Sequence, residues 1–145
     1  MSSSNMTIKS RTENLEKVRK FVADAAAKFG FDKEAVSNIV LAVDEACTNV
    51  IRHAYANAPD KEIWIAIDLK NGRFEVKVAD TGRSFDPDTV PPPNVREFLR
   101  QGKTGGFGIY LMRRMVDEVH FSSLPGKRNE ALLVKYLQPL AQANR

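Results

Sequence analysis

The sequence predicts an α+β fold, a two-layer α/β sandwich in which helices cover one face of a mostly antiparallel mixed sheet. Apolar residues recur at helical spacing in two segments near the start of the chain. Two segments with alternating apolar residues follow, joined by Asn71-Gly72, a dipeptide typical of a tight β-hairpin turn. One more helical segment and two more strand segments complete the pattern.

Length and composition are those of one globular domain. A chain of 145 residues can bury about two-thirds of its unfolded surface, so a single domain over residues 1–145 is expected. The chain is 43% hydrophobic and 28% charged, as is usual for a soluble globular protein. It has no apolar run near the roughly 20 residues that a membrane span needs. Its first residues lack the basic and apolar regions of a signal peptide.

The cysteine content and the charge distribution indicate the cellular compartment and the kind of binding partner. Cys47 has no second cysteine for an intramolecular disulfide, which fits a reducing cytosol and predicts a cytoplasmic protein. The net charge is +4, and the Lys and Arg residues are scattered among acidic ones instead of forming a basic stripe. This pattern argues against direct binding of nucleic acid, whereas the basic balance suits an acidic protein partner.

The first part of the chain predicts an edge strand and two helices. Residues 6–10 are expected to form a short edge strand, and residues 13–29 an amphipathic helix that Gly30 terminates. Asp32 is a suitable N-cap for the second helix, which is expected to run to about Ala56, before a proline. The apolar residues of this second helix gather on one side, where a sheet would bury them.

The rest of the chain predicts four strands, one helix and a long irregular segment. The segment is rich in proline and has little periodicity, and a stretch of this kind inside a compact domain is usually functional or mobile. The regular elements are expected at residues 63–69 and 74–78 for the hairpin strands, 109–116 for the helix, and 119–121 and 131–135 for the last two strands.

The second helix carries a carboxylate and an amide one turn apart. At about 100° per residue, four polar residues lie within roughly 60° of one another: Asn38, Glu45, Asn49 and Arg52. Glu45 and Asn49 can therefore reach the same magnesium-bound phosphate, since Mg²⁺ prefers oxygen ligands and a carboxylate can accept the proton of a hydroxyl. Asp44 points about 100° away and is a poorer candidate for the base. The alternative is a solvated helix face, on which Arg52 is a surface charge and not a phosphate contact.

A second motif follows a strand. Asp80 comes where the strand ends, and a carboxylate there can accept a hydrogen bond from the amino group of adenine, whereas guanine presents an oxygen. Gly82 lets the backbone turn and approach a purine ring closely. By itself, Asp80-Thr81-Gly82 is also consistent with an ordinary turn.

A third motif is the glycine-rich segment Gly105-Gly106-Phe107-Gly108, which directly precedes a helix. Unpaired amide N–H groups and the positive end of that helix can face phosphate. The spacing differs from a Rossmann fingerprint, and the Gly-Lys-Ser/Thr ending of a P-loop is absent. Lys103 and Thr104 lie just upstream and can add phosphate contacts. A flexible loop without a ligand is the alternative.

In this order, the three motifs resemble those of the histidine-kinase-like ATPases, the GHKL superfamily. Within it, the chain is most similar to the anti-sigma-factor serine/threonine kinases, which are small bacterial switch proteins. The likeness extends over residues 9–137. The residues that carry it are Glu45-x-x-x-Asn49, Asp80-Thr81-Gly82-x-x-Phe85-Asp86-Pro87 and Gly106-x-Gly108.

The resemblance implies a role for each site residue. Glu45 is the implied general base, Asn49 the Mg²⁺ ligand and Asp80 the residue that reads adenine. The segment from Pro87 to Thr104 is expected to be a lid that orders when the γ-phosphate is present. The further implied ATP contacts are Arg52, Gly82, Phe85, Lys103, Thr104, Gly105, Gly106, Phe107 and Gly108.

Two positions depart from the pattern of the superfamily. Ser84 stands where members often have a second glycine. Glu130 and Ala131 stand where many members place a threonine near the adenine aspartate. The first departure affects the local loop geometry, and the second implies that one water-mediated contact to adenine is missing.

The implied function is transfer of the ATP γ-phosphate to a Ser or Thr of a STAS-domain anti-anti-sigma protein, together with binding of a sigma factor or related regulator. ATP and Mg²⁺ are the implied cofactors, and such kinases commonly form a homodimer. The alternative is a non-catalytic nucleotide-binding switch that sequesters a partner. Glu45 favours the enzyme, because nucleotide binding alone does not require this carboxylate. The short lid and the lack of a phosphoacceptor-helix domain argue against a third alternative, a detached histidine-kinase catalytic domain.

Overall fold

The computed structural model describes residues 2–84, 108–124 and 127–138. Within these residues, one five-stranded sheet has the order β1–β2–β3–β5–β4, and every neighbouring pair of strands is antiparallel. Three α-helices within the described residues pack on one face of this sheet, which confirms the predicted fold class. In chain order the elements are β1 Ser2–Lys9, α1 Leu15–Phe29, α2 Lys33–Asn49, β2 Glu62–Lys70, β3 Arg73–Asp80, α3 Gly108–Met115, β4 Glu118–Leu124 and β5 Arg128–Tyr136.

The first strand is longer than its sequence pattern predicts. β1 pairs with β2 along its whole length, from Ser2 opposite Leu69 to Lys9 opposite Glu62. Its first four residues are exposed and polar, so they show no apolar alternation. The strand extends over them because the backbone N–H and C=O groups of these residues pair with β2.

The second helix begins as predicted and ends in an unexpected conformation. The side chain of Asp32 accepts a hydrogen bond from the backbone N–H of Ala35 at 2.8 Å, which is the predicted N-cap. The α-helix ends at Asn49 and continues as a π-helical turn over Val50–Ala54. This turn changes the angular spacing of the side chains after Asn49, since its hydrogen bonds join residues five apart.

The core lies between the helices and the inner face of the sheet. The alternating Ile63, Ile65 and Ile67 of β2 are at most 1% exposed, as the strand pattern predicts. Cys47 of α2 is fully buried, and burial raises the pKa of its thiol to about 12. The second helix packs on β3, β5 and α3, so its polar face meets the ends of these elements. None of the helices described is long and apolar enough to cross a membrane.

Candidate active site

The carboxylate of Asp80 lies at the end of β3, where the residue is only 4% exposed. Its Oδ1 atom accepts hydrogen bonds from the backbone N–H of Gly82 at 2.8 Å and from Nδ2 of Asn129 at 2.9 Å. Burial raises the pKa of Asp80, and the hydrogen bonds from Asn129 and Gly82 oppose that rise. The two donors therefore help to keep a buried carboxylate ionised.

The turn after Asp80 packs directly on the end of the π-helical turn. A Cβ atom at Gly82 would lie 2.3 Å from the carbonyl oxygen of Ala54, so a larger residue does not fit without backbone movement. The backbone N–H of Arg83 donates to the same oxygen at 2.9 Å, and its guanidinium donates to the carbonyl oxygen of His53 at 3.1 Å. The position of the turn is thus set by the chain segment that continues α2.

Tyr55 also holds this turn in place. Its buried hydroxyl accepts a hydrogen bond from the backbone N–H of Thr81 at 2.9 Å and donates to the carbonyl oxygen of Glu62 at 2.5 Å. A single side chain therefore connects the end of the π-helical turn, the start of β2 and the turn after β3.

Glu45 and Asn49 lie together against the first residue of α3. A Cβ atom at Gly108 would lie 3.0 Å from Oδ1 of Asn49 and 3.2 Å from Oε2 of Glu45. Both side chains therefore face the backbone at the N-terminus of α3, where amide N–H groups are not used within the helix. The predicted acid–amide pair and the last glycine of the predicted phosphate loop form one cluster.

Glu45 and its neighbour Asp44 have different electrostatic surroundings. Burial raises the pKa of Glu45, the charge of Asp44 raises it further, and the charge of Arg52 lowers it. Asp44 itself forms an ion pair with Arg19 of α1, at 2.7 Å. Asp44 is therefore paired with α1, whereas the side chain of Glu45 lies beside Gly108 of α3.

A cavity lies between α2 and the sheet. Asn49 and Asp80 both line it. Its other walls are largely apolar and include Ala46, Val50, Val78, Phe121 and Ala131. Asn129 and Ser123 line it as well. A largely apolar cavity with a few convergent polar groups is the usual form of a small-molecule site.

The comparison with known families agrees with this geometry. The family of the histidine kinase-like ATPase domain matches residues 8–135. The chain belongs to this family. Within it, the serine-protein kinase RsbW of Bacillus subtilis is 32% identical over 136 residues, which cover 91% of this chain and 84% of that protein. RsbW of Bacillus velezensis is 33% identical with the same coverage. The predicted family, the anti-sigma-factor serine kinases, is confirmed.

Solved structures of the family share the fold. A crystal structure of the RsbU and RsbW domains of a Mycobacterium tuberculosis protein has a TM-score of 0.68 at 20% identity. The match covers 96% of this chain and 34% of that one, so this chain spans about a third of the solved chain. Full-length ShkA in complex with AMPPNP has a TM-score of 0.54 at 15% identity. At these identities the likeness is one of fold.

The predicted residues divide into three groups in the structure. Glu45, Asn49 and Gly108 lie together, and Asp80 shares one turn with Gly82. Arg52 is exposed on the π-helical turn and is not among the described residues that line the cavity, although its charge acts on Glu45. The remaining predictions lie outside the described residues: the lid from Pro87 to Thr104, and Phe85, Lys103, Thr104, Gly105, Gly106 and Phe107.

Asn129 is absent from the predicted residues, yet it is the side-chain donor to Asp80. The register of β3 and β5 places it directly opposite, with Val78 opposite Ala131 and Asp80 opposite Asn129. Asn129 directly precedes the two positions, Glu130 and Ala131, at which the sequence departs from the superfamily pattern. Counting back along β5 from Ala131 would have identified it, if the register had been known.

The described residues offer few groups for a metal ion. Within residues 2–84, 108–124 and 127–138, no three His, Cys, Asp or Glu side chains cluster closely enough to hold one. Mg²⁺, however, is usually bound through one or two protein oxygens together with waters and substrate phosphates. The amide oxygen of Asn49, beside Gly108, fits a site of that kind.

Proposed function

We propose that this chain is an ATP-dependent serine/threonine protein kinase and anti-sigma-type regulator. It phosphorylates a STAS-domain anti-anti-sigma protein and binds a sigma factor. The observation that carries the proposal is the position of the Glu45 and Asn49 side chains, which lie so close beside Gly108 at the start of α3 that an added Cβ atom would touch both. Phosphates bound at this helix N-terminus would lie beside a carboxylate and an amide oxygen. The relatives named serine-protein kinases support the same conclusion.

In this proposal, the adenine ring enters the apolar cavity between α2 and the sheet. Asp80 lines that cavity and accepts a hydrogen bond from the 6-amino group. Gly82 allows the close backbone approach that the turn requires. The proposed phosphate contacts are Gly108 and Arg52, together with the residues predicted from the sequence at Phe85 and Lys103–Phe107.

Glu45 is the proposed general base. It accepts the proton of a partner Ser or Thr hydroxyl as the hydroxyl oxygen bonds to the γ-phosphorus and the bond to the bridging oxygen breaks, which releases ADP. Burial raises the pKa of Glu45, and a carboxylate with a raised pKa accepts a proton more readily. Asn49 would hold Mg²⁺ through its amide oxygen, and the ion would neutralise charge on the phosphates.

The proposed substrate is a protein because a folded partner can bring its own hydroxyl into the cleft. We propose that residues 1–145 act as one domain and that the protein works in the cytoplasm. ATP use supports a cytoplasmic location, as does the single cysteine, which is buried. A homodimer, common among such kinases, is part of the proposal.

The test is transfer of label from [γ-³²P]ATP to each STAS-domain protein encoded in the same genome, followed by mapping of the modified residue by mass spectrometry. We expect one of these proteins to be labelled on a Ser or Thr, with ATP and not with GTP as donor. Binding of sigma factors is measured in parallel with purified proteins. A stable complex with a STAS-domain protein that is never labelled would show a sequestering module instead of a kinase.

A further inference from the structure

We propose that Asn129 is the positioning residue that sets the nucleotide preference of the site. It holds the carboxylate of Asp80 so that a single oxygen, Oδ2, can accept a hydrogen bond from a purine with an amino group at C6. The inference rests on the proposed function, because it concerns how ATP is recognised in the same cavity.

The amide of Asn129 faces three acceptors. Its Nδ2 atom lies 2.9 Å from Oδ1 of Asp80, 3.0 Å from the carbonyl oxygen of Gly82 and 3.2 Å from that of Arg83. An amide nitrogen is a donor and an amide oxygen is not, so this orientation of the side chain is dictated by its surroundings. Asn129 thus connects the adenine-reading carboxylate to the two carbonyl groups of the turn that follows it.

Two serines hold the other end of the amide. The hydroxyl of Ser123 on β4 donates to Oδ1 of Asn129, and the hydroxyl of Ser84 lies 3.0 Å from that of Ser123. A hydroxyl has one proton. Because Ser123 donates its proton to Asn129, Ser84 donates the proton of the hydrogen bond between the two serines. A hydrogen-bonded chain therefore runs from Ser84 through Ser123 and Asn129 to Asp80. This series of hydrogen bonds gives a role to Ser84, which stands where members of the superfamily often have a second glycine.

These hydrogen bonds leave Asp80 with one oxygen atom that can accept a hydrogen bond from a ligand. Oδ1 receives two hydrogen bonds, from Gly82 and Asn129, which use its two lone pairs. Within the described residues, Oδ2 receives none, and Asp80 lines the cavity. An ionised carboxylate has no proton to donate, so it pairs with a 6-amino group and repels a 6-oxo group. If Asn129 did not hold Oδ1, the carboxylate could rotate and its preference would be less strict.

The experiment compares the affinities of the full chain for ATP and for inosine triphosphate, which carries an oxygen at C6. The variant is Asn129→Asp, which keeps the shape of the side chain and replaces the donor by an acceptor. The matched control is Asn5→Asp on the exposed part of β1. We expect the control to keep the wild-type preference for ATP. In Asn129→Asp, the ratio of the two dissociation constants should fall by at least about tenfold, as for loss of a hydrogen bond to a charged group.

The melting temperature of each variant is recorded to separate recognition from folding. Equal weakening of both nucleotides, with the ratio unchanged, would mean a purely structural role and would overturn the inference. If Asn129→Asp does not fold, Ser123→Ala on the exposed end of β4 replaces it, and a smaller fall in the ratio is expected. An unchanged ratio in that variant would equally overturn the inference. Failure of the wild type to bind ATP would instead overturn the proposed function.

Discussion

The two halves of the site are assembled in different ways. Glu45 and Asn49 are one turn apart on α2, so their proximity follows from the helix itself. Asp80 and Asn129 are 49 residues apart and meet only through the pairing of β3 with β5. In the proposed function, the helical half performs the chemistry and the sheet half selects the nucleotide. Loss of the base in the first half should lower the rate, and changes in the second half should alter affinity and selectivity.

The largest effect is expected for Glu45→Ala. Loss of the general base should lower the rate of phosphoryl transfer by about 10²–10⁴. The affinity for ATP should stay close to that of the wild type, since Asn49, Asp80 and the cavity are intact. Single-turnover transfer and calorimetric titration measure the two quantities. Glu34→Ala, in the exposed first turn of the same helix, is the matched control and should transfer phosphate normally. Full activity in Glu45→Ala would remove Glu45 as the base.

The second-largest effect is expected for Gly82→Ala, in the turn that follows β3 in the sheet half of the site. Gly82→Ala places a Cβ atom 2.3 Å from the carbonyl oxygen of Ala54, so the turn must move and the protein should lose about 1–3 kcal/mol of stability. Affinity for ATP should fall as well, because Asp80 moves with the turn. Gly72→Ala is the control that separates a loss of stability from a loss of ATP affinity. Its φ of 70° is strained for alanine, but among the described residues its Cβ would meet only the carbonyl oxygen of Leu137, at 3.7 Å. It should lower the melting temperature and leave ATP affinity unchanged.

Asp80→Asn tests the selectivity of the sheet half. The amide oxygen can still accept from Gly82 and Asn129, which leaves an NH₂ group in place of Oδ2. Affinity for ATP should fall by about 1–3 kcal/mol. The preference should shift towards a 6-oxo purine, because the NH₂ group is a donor. Asp60→Asn, in the exposed segment before β2, is the control. Equal titration curves of the wild type with ATP and GTP would contradict the assignment of Asp80.

The smallest effect concerns the pH dependence of the helical half. A base must be deprotonated, and burial, together with the charge of Asp44, raises the pKa of Glu45. Transfer at saturating ATP should therefore decline on acidification at a higher pH than an ordinary glutamate would cause. Arg52→Gln removes the charge that lowers this pKa, so the decline should move to still higher pH. Lys28→Gln, far from the site at the end of α1, should leave the profile unchanged. A profile that moves to lower pH in Arg52→Gln would contradict the assignment.

The sequence by itself determined the features that depend on neighbours along the chain. The cap at Asp32, the spacing of Glu45 and Asn49, and the alternation of β2 all follow from local geometry, and the structure shows each of them. These interactions span four residues or fewer, so a repeating pattern of residue types is enough to identify them.

Only the tertiary structure decided the features that depend on distant partners. The first four residues of β1 join the sheet through backbone hydrogen bonds, which their polar side chains do not reveal. The π-helical turn at Val50–Ala54 removes Arg52 from the regular spacing of α2. The partner of Asp80 is set by strand register, and a shift of one residue would turn Asn129 to the other face of the sheet. Register is fixed by the packing of the whole sheet, so the side chain that donates a hydrogen bond to the carboxylate of Asp80 could be found only in the folded protein.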